Sequence, residues 1–374
     1  MPARAHPVPC TSMTAPPARR IDSLDLLRFL AALAVVAYHY TVKGTPKSGV
    51  GAEEVAFLTK YGGFGVDLFF VVSGFVILLS ARGRTPREFI ISRLSRIVPA
   101  FLVCCLLTYA VVNAFGPASM RSSPGDLLAN LSLIAITPVG RVLGVNLVDG
   151  VYWTLAIETQ FYLFVWLALV FGALKHTRAL LWGWLGASAA VQALALTVGM
   201  STPVKLLGEA VLYDWSAYFI AGGFFYLAFS GDRRRSDVAA LLACFGMSAL
   251  QSVERAAYLN QHDGMGLTVL GVVITVGLIY GVFALLSYTR FTFGPLLRWS
   301  WLGNATYPLY LLHAYLGYTL FTLLKGTMPD PLLVVLVAGL FIALALAVHR
   351  YVERPVNAWV KKRTRKPGTV PTAA

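Results

Sequence analysis

The stretch LDLLRFLAALAVVAYHY, residues 24–40, sets an acid, a guanidinium and an imidazole among Leu, Ala, Val and Phe. Insertion scales charge at least ~2.5 kcal/mol for an ionised group at mid-membrane, so such groups persist where they have a task. Asp25, Arg28 and His39 are the three. At about 100° and 1.5 Å per residue, Arg28 and His39 return to one helix face roughly 16 Å apart. Asp25 lies three positions before Arg28, near the same face. Taken alone, Asp25 and Arg28 also suit an interfacial pair that snorkels to water. His39 is deeper, and an imidazole titrating near neutrality is the natural base for an alcohol proton.

Further polar groups stand in other apolar runs. Asp67 and Ser73 lie in GVDLFFVVSGFVI, Glu158 in YWTLAIETQFY and His313 in ATYPLYLLHAY. A lone Ser or Tyr in such a run is best read as a helix-packing hydrogen-bond partner. Four ionisable groups on four apolar runs point instead to a polar cavity within a bundle, since lipid offers none of them a partner. Before the third run, Arg93 and Arg96 in REFIISRLSRIVPAF share one side of a helical turn. Two guanidiniums there suit phosphate through bidentate charge-assisted bonds. A basic cluster holding anionic lipid fits the spacing equally well.

The elements that must carry these groups are membrane helices. The chain has 374 residues, 57% hydrophobic and 13% charged, against about 25% charged in soluble domains. The expectation is an all-α, polytopic integral membrane protein of about ten spans: 24–43, 63–81, 97–115, 152–174, 179–199, 209–229, 238–255, 266–288, 300–324 and 331–351. The net charge of +14 is spread in short clusters between these runs. No basic stripe with stacking aromatics suggests nucleic acid. With ten spans, one side holds 22 Lys and Arg and the other 8, which predicts a cytoplasmic location for the basic side and for both termini. The stretch 126–136 is too short to span and reads as a re-entrant or interfacial helix in the long outer loop 116–151.

The domain reading is a disordered cytoplasmic tail 1–20, a transmembrane domain 21–360 and a basic tail 361–374. The first twenty residues lack the apolar core of a signal peptide, and Met13 is a plausible start. Of Cys10, Cys104, Cys105 and Cys244, three sit in apolar runs. They give neither a disulfide framework nor a metal spacing. No metal is expected.

In order along the chain, these segments resemble the membrane-bound acyltransferase-3 family, typified by bacterial O-acetyltransferases of surface polysaccharides. The residues carrying the resemblance are Leu24, Asp25, Arg28 and His39, then GVDLFFVVSGF at 65–75, and Arg93 and Arg96 with Pro99. They continue with WTLAIETQFY at 153–162, beginning at Trp153, then YPLYLLH from Tyr307 to His313, and Glu353 to Pro355. The resemblance implies an acyl-CoA donor, acetyl-CoA in the typical case, a hydroxyl acceptor and an essential helix-1 histidine. It implies a bacterial inner-membrane location. Some members carry an extra extracytoplasmic hydrolase-like domain after the helices, so a partner protein on the outer side that receives the acyl group is compatible with the family. Members that modify antibiotics make a small glycosylated metabolite an alternative acceptor.

On this reading His39 is the base, Glu158 or Asp67 orients it, and Arg28, Arg93 and Arg96 bind the donor. Asp25, Ser73, Trp153, Tyr307, His313 and Glu353 line the substrate path or support it. A transporter of a glycan or lipid-linked sugar would use the same buried groups as a proton relay. Release of CoA by the purified protein separates the two.

Overall fold

The computed structural model describes residues 18–289 and 291–364. Residues 1–17 and 365–374, with Met13, Cys10 and most of both expected tails, lie outside the described residues. Helix α1 (Ala18–Tyr38) runs into a π turn, His39–Lys43. The other main helices are α2 (Gly65–Ala81), α3 (Pro86–Phe115), α4 (Trp153–Val170), α5 (Thr177–Val198) and α6 (Tyr213–Phe229). They continue with α7 (Arg235–Asp263), α8 (Val269–Tyr288), α9 (Thr306–Leu312), α10 (Ala314–Leu324) and α11 (Asp330–Val348). A second π turn, His349–Glu353, joins α11 to α12 (Arg354–Thr364). No strand occurs among the described residues. Helices satisfy every backbone group internally, which is why long apolar runs take this form in lipid. Where a helix starts near water the sequence supplies a cap. Thr85 and Glu88 form a reciprocal capping box on α3, with Pro86 in its first turn.

Among the described residues, eight helical stretches are long and apolar enough to cross a membrane, so the expected ten spans are not all matched by helices of spanning length. Expected span 209–229 is the 17-residue α6, which is almost wholly buried. Expected span 300–324 is a 3-10 segment, Gly294–Ala305, followed by the short α9 and α10. A helix sheathed by protein need not match the thickness of the bilayer. The 126–136 stretch forms no span, as expected. It is the short helix Pro124–Leu131 and a 3-10 turn, Ile134–Ile136.

The core is built on the contact between α2 and α6. A Cβ at Gly222 would sit 2.8 Å from the backbone nitrogen of Phe75, and one at Gly74 would sit 3.0 Å from Cα of Phe219. Glycine at both positions lets the two backbones touch, which is how membrane helices gain dispersion energy where lipid removes the hydrophobic drive. Around the contact, Phe219 packs on Phe70 and Phe161 at ring distances of 4.9 and 4.5 Å.

Candidate functional site

His39 opens the π turn at the end of α1. π turns interrupt helices most often at functional sites, because the extra residue re-aims the side chains around it. His39 Nδ1 lies 2.5 Å from Nε2 of His313, a fully buried residue at the junction of α9 and α10. The far nitrogen of His313, Nδ1, faces the carbonyls of Tyr310 at 2.9 Å and Leu309 at 3.2 Å. Carbonyls only accept, so His313 Nδ1 carries the proton and its Nε2 presents a lone pair. His39 Nδ1 must then be the donor between the rings. That leaves His39 Nε2 with its lone pair free, the form a base requires.

The junction at His313 keeps helical dihedrals, φ −69° and ψ −33°, and its carbonyls are held from outside. Tyr40 Oη donates to the His313 carbonyl at 2.8 Å, and Tyr152 Oη to that of Leu311 at 3.3 Å. Tyr310 Oη in turn donates to the Val151 carbonyl at 3.0 Å. The imidazole pair is therefore fixed by α1, α9 and the start of α4 together.

His39 lines a cavity of about 500 Å³ at the end of the bundle away from the arginine-rich loops. One wall is aromatic: Trp153 and Trp215 lie 5.0 Å apart by ring centroid. Lys43, Lys47 and Lys60 also line it, with Asp149 and Arg255. Asp149 is fully buried, and its carboxylate accepts the backbone N–H of Val151 at 3.1 Å and of Tyr315 at 2.9 Å. It ties the long loop to α10. Burial pushes its carboxyl up to about 7, opposed by those two N–H groups and by Lys47.

The carboxylates expected to orient His39 have other partners. Asp67 is fully buried in a bidentate pair with Arg255, at 3.0 and 2.5 Å. Arg255 also stacks 4.7 Å from the Trp215 ring. Glu158 accepts from Ser73 Oγ at 3.1 Å and Tyr162 Oη at 2.6 Å. The side chain that holds His39 is another imidazole, His313.

Glu158 and Ser73 line two small chambers of about 70 and 50 Å³ in the middle of the bundle. Val66 and Tyr310 line both the first of these and the His39 cavity. Arg28 and Tyr307 line both small chambers and also a third, open cavity of about 960 Å³ at the basic end. These four spaces thus share walls from the basic mouth to His39. Arg84, Arg87, Arg96, Lys361 and Arg363 surround the mouth with Asp25, Glu88 and Glu353. Arg28 pairs with Asp25 at 3.6 Å, Glu353 takes the His349 ring at 2.7 Å, and Tyr307 Oη donates to the Ile97 carbonyl at 3.1 Å.

Arg93 and Arg96 do not both face the mouth. Arg96 faces the mouth, whereas Arg93 is buried, donates to Ser80 Oγ and lies 5.6 and 5.8 Å from the rings of Phe89 and Tyr162. Three residues on a helix turn the second side chain by about 60° from the first, so Arg96 lines both the mouth and the smaller inner chamber, whereas Arg93 lines that chamber alone.

Spacing does not single out Lys43, Lys47, Lys60, Asp149, Trp215, Arg255 or His349. The lysines and Asp149 lie in or beside loops, where no periodicity marks a face. Arg255 gave one signal: a cation deep in an apolar helix needs a buried acid.

A family model described as an acyltransferase domain matches residues 21–350. Among curated proteins, the chain is 27% identical over 379 residues to the peptidoglycan O-acetyltransferase OatA of Listeria monocytogenes, covering 90% of this chain and 56% of that protein. It is 30% identical over 179 residues to the O-acetyltransferase OatA of Staphylococcus aureus, covering 41% of this chain and 25% of that one. The chain thus spans about half the Listeria relative's length or less of these relatives. No solved structure matches it.

Proposed function

We propose, from the premise that this chain belongs to the acyltransferase-3 family, that it is a membrane O-acyltransferase moving an acetyl group from acetyl-CoA to a hydroxyl of a cell-surface carbohydrate. The observation that carries this reading is the run of shared-wall cavities joining a mouth rich in arginine to the His39–His313 pair. The relatives are named for O-acetylation, two steps of resemblance that agree with the site's chemistry.

In this reading Arg96 and its basic neighbours bind the donor's phosphates at the mouth, on the cytoplasmic side favoured by the Lys and Arg bias. Arg28 stands between mouth and throat, where a slender pantetheine arm passes toward His39. The acceptor enters from the opposite side of a bacterial inner membrane. His39 Nε2 takes the proton of the acceptor hydroxyl while the alcohol oxygen attacks the thioester carbonyl. The C–S bond breaks, and the proton is passed to the departing thiolate. His313 keeps His39 in the tautomer whose Nε2 accepts the proton, and the preorganised pair needs no rearrangement of water. Glu158 and Asp67 are held by Tyr162, Ser73 and Arg255 and shape the path without touching His39.

Purified protein in sealed vesicles with the basic face outward tests this. External acetyl-CoA is consumed, with one thiol released per ester formed on a glycan loaded inside. Absence of thioester consumption with every hydroxyl acceptor tried, or turnover with both substrates confined to one face, overturns the two-sided site.

A further inference from the structure

By the ten-span reading of the sequence, 8 of the 31 Lys and Arg fall on the side away from the basic loops, where the topology bias disfavours them. Four of those, Lys43, Lys47, Lys60 and Arg255, line the one cavity that holds His39. Two are neutralised in place: Arg255 by Asp67, and Lys43 by Asp263 at 2.5 Å. The other two have no ion pair among the described residues. Lys60 Nζ donates to the Gly266 carbonyl at 2.5 Å. Lys47 Nζ lies 5.1 and 5.8 Å from the rings of Tyr315 and Tyr318. The acid in the wall, Asp149, spends both oxygens on backbone N–H groups. The cavity therefore presents two ammonium groups outside any ion pair, with Asp149 acting on Lys47 only through space, beside an aromatic face at Trp153 and Trp215. Such a face suits the C–H side of a sugar ring, and the ammonium groups call for an oxyanion.

Building on the proposed acyl transfer, we infer that the acceptor is an acidic glycan, whose carboxylate or phosphate is bound by Lys47 and Lys60 while a sugar ring rests on Trp153 and Trp215. The charge holds the sugar so that one hydroxyl faces His39 Nε2. A neutral glycan leaves both ammonium groups without a partner and binds more weakly. Carboxylate and phosphate are bound by the same groups, so the site distinguishes acid from neutral sugar more sharply than one acid from another.

The test is made on the full chain in nanodiscs, with binding read by quenching of tryptophan fluorescence. The probes are an oligosaccharide bearing a uronic acid, its methyl ester, and a phosphodiester-linked analogue. Binding is measured without the acyl donor, so its outcome does not depend on turnover. The wild type should bind the two acidic probes about tenfold more tightly than the ester, the scale of one charge-assisted bond. That preference should shrink with added salt. Lys47→Gln with Lys60→Gln should bring the ratio close to one, and Lys47→Arg with Lys60→Arg should keep most of it. Retention by both acids supports the shared chemistry, and retention by one alone names the source. Equal binding of acid and ester by the wild type overturns the inference. So does a Gln pair that changes affinity for phosphatidylglycerol nanodiscs and leaves the acid-to-ester ratio intact, which assigns the lysines to lipid. Loss of thioester consumption with the ratio preserved counts against the proposed transfer and leaves this inference standing.

Discussion

The two ends of the path differ in how they hold their charges. The basic mouth is wide, about 960 Å³, and its cations are mostly exposed and drawn from three separate segments. The His39 cavity is about half that size, and its central pair is locked by hydrogen bonds from three elements. In the proposed reaction a phosphate-bearing tail would tolerate several poses at the mouth, because a field of cations attracts it from many directions. A base must face one proton from one direction, and a misplacement of about 1 Å there costs about a hundredfold. Each end begins with a π turn carrying a histidine, His39 at one and His349 at the other. The first imidazole meets another imidazole, the second a carboxylate. The Glu353 carboxylate offers His349 an oxygen acceptor, whereas His313 offers His39 a nitrogen lone pair. The same local device therefore serves two chemistries.

Substitution at the His39 end gives the largest effects. His39→Ala should reduce product to background while the protein still folds and extracts into detergent. Its melting temperature should fall slightly, because His313 Nε2 loses its donor, a loss of about 1–3 kcal/mol. Product formation at a substantial fraction of wild type would remove His39 from the base role. His313→Ala comes next. It frees His39 to take the wrong tautomer, so kcat should fall about a hundredfold with the KM for acetyl-CoA unchanged. A rise in donor KM with kcat intact would make His313 part of the donor site and erase the contrast between the ends.

At the mouth the effects are smaller and fall on binding. Arg96→Ala should raise the KM for acetyl-CoA about tenfold at nearly constant kcat, as when uniform binding is lost. Arg93→Ala should behave differently although it lies only three residues away. Its guanidinium is buried between Phe89 and Tyr162, so the loss should appear as a lower melting temperature before it appears in KM. Identical changes in donor KM for the two variants would mean that both side chains reach the donor.

Much of the path was legible in the sequence because it runs through helices. The spacing from Arg28 to His39 sets both along one wall, and Asp67, Glu158 and His313 had to face inward because lipid gives them no partner. What helical period cannot give is which inward group meets which. Asp67 and Arg255 are separated by 188 residues, and His39 and His313 by 274. Each pairing depends on the rotation of both helices, which tight contacts such as Gly74 against α6 determine. The lysines around the His39 cavity come from the chain between α1 and α2, where neither period nor burial marks a side chain for a role. The outside grip on the carbonyls near His313 is legible only afterwards: a helix rich in Tyr and Pro gives no warning that two other elements will reach them.

The smallest expected effect separates structural charge from functional charge within the His39 cavity. Asp149 is buried and its carboxyl is pushed up to about 7, from an ordinary value near 3.9 in the unfolded chain. Between these values the folded protein holds a proton that the unfolded chain has released. The stabilisation is therefore full below about pH 4 and is lost as the pH rises through about 7. Asn at this position cannot titrate. It keeps one oxygen for either Val151 N–H or Tyr315 N–H and turns an amide donor toward the other. Asp149→Asn should thus melt below wild type at pH 5 by a few degrees, and the gap should narrow by pH 8 as the wild type pays for a buried charge. Thermal unfolding in detergent across this range measures it. A gap that widens with pH would mean that the two N–H groups hold Asp149 ionised throughout. The cavity would then carry a fixed negative charge against Lys47, and the surplus of positive charge available to an acidic acceptor would be smaller.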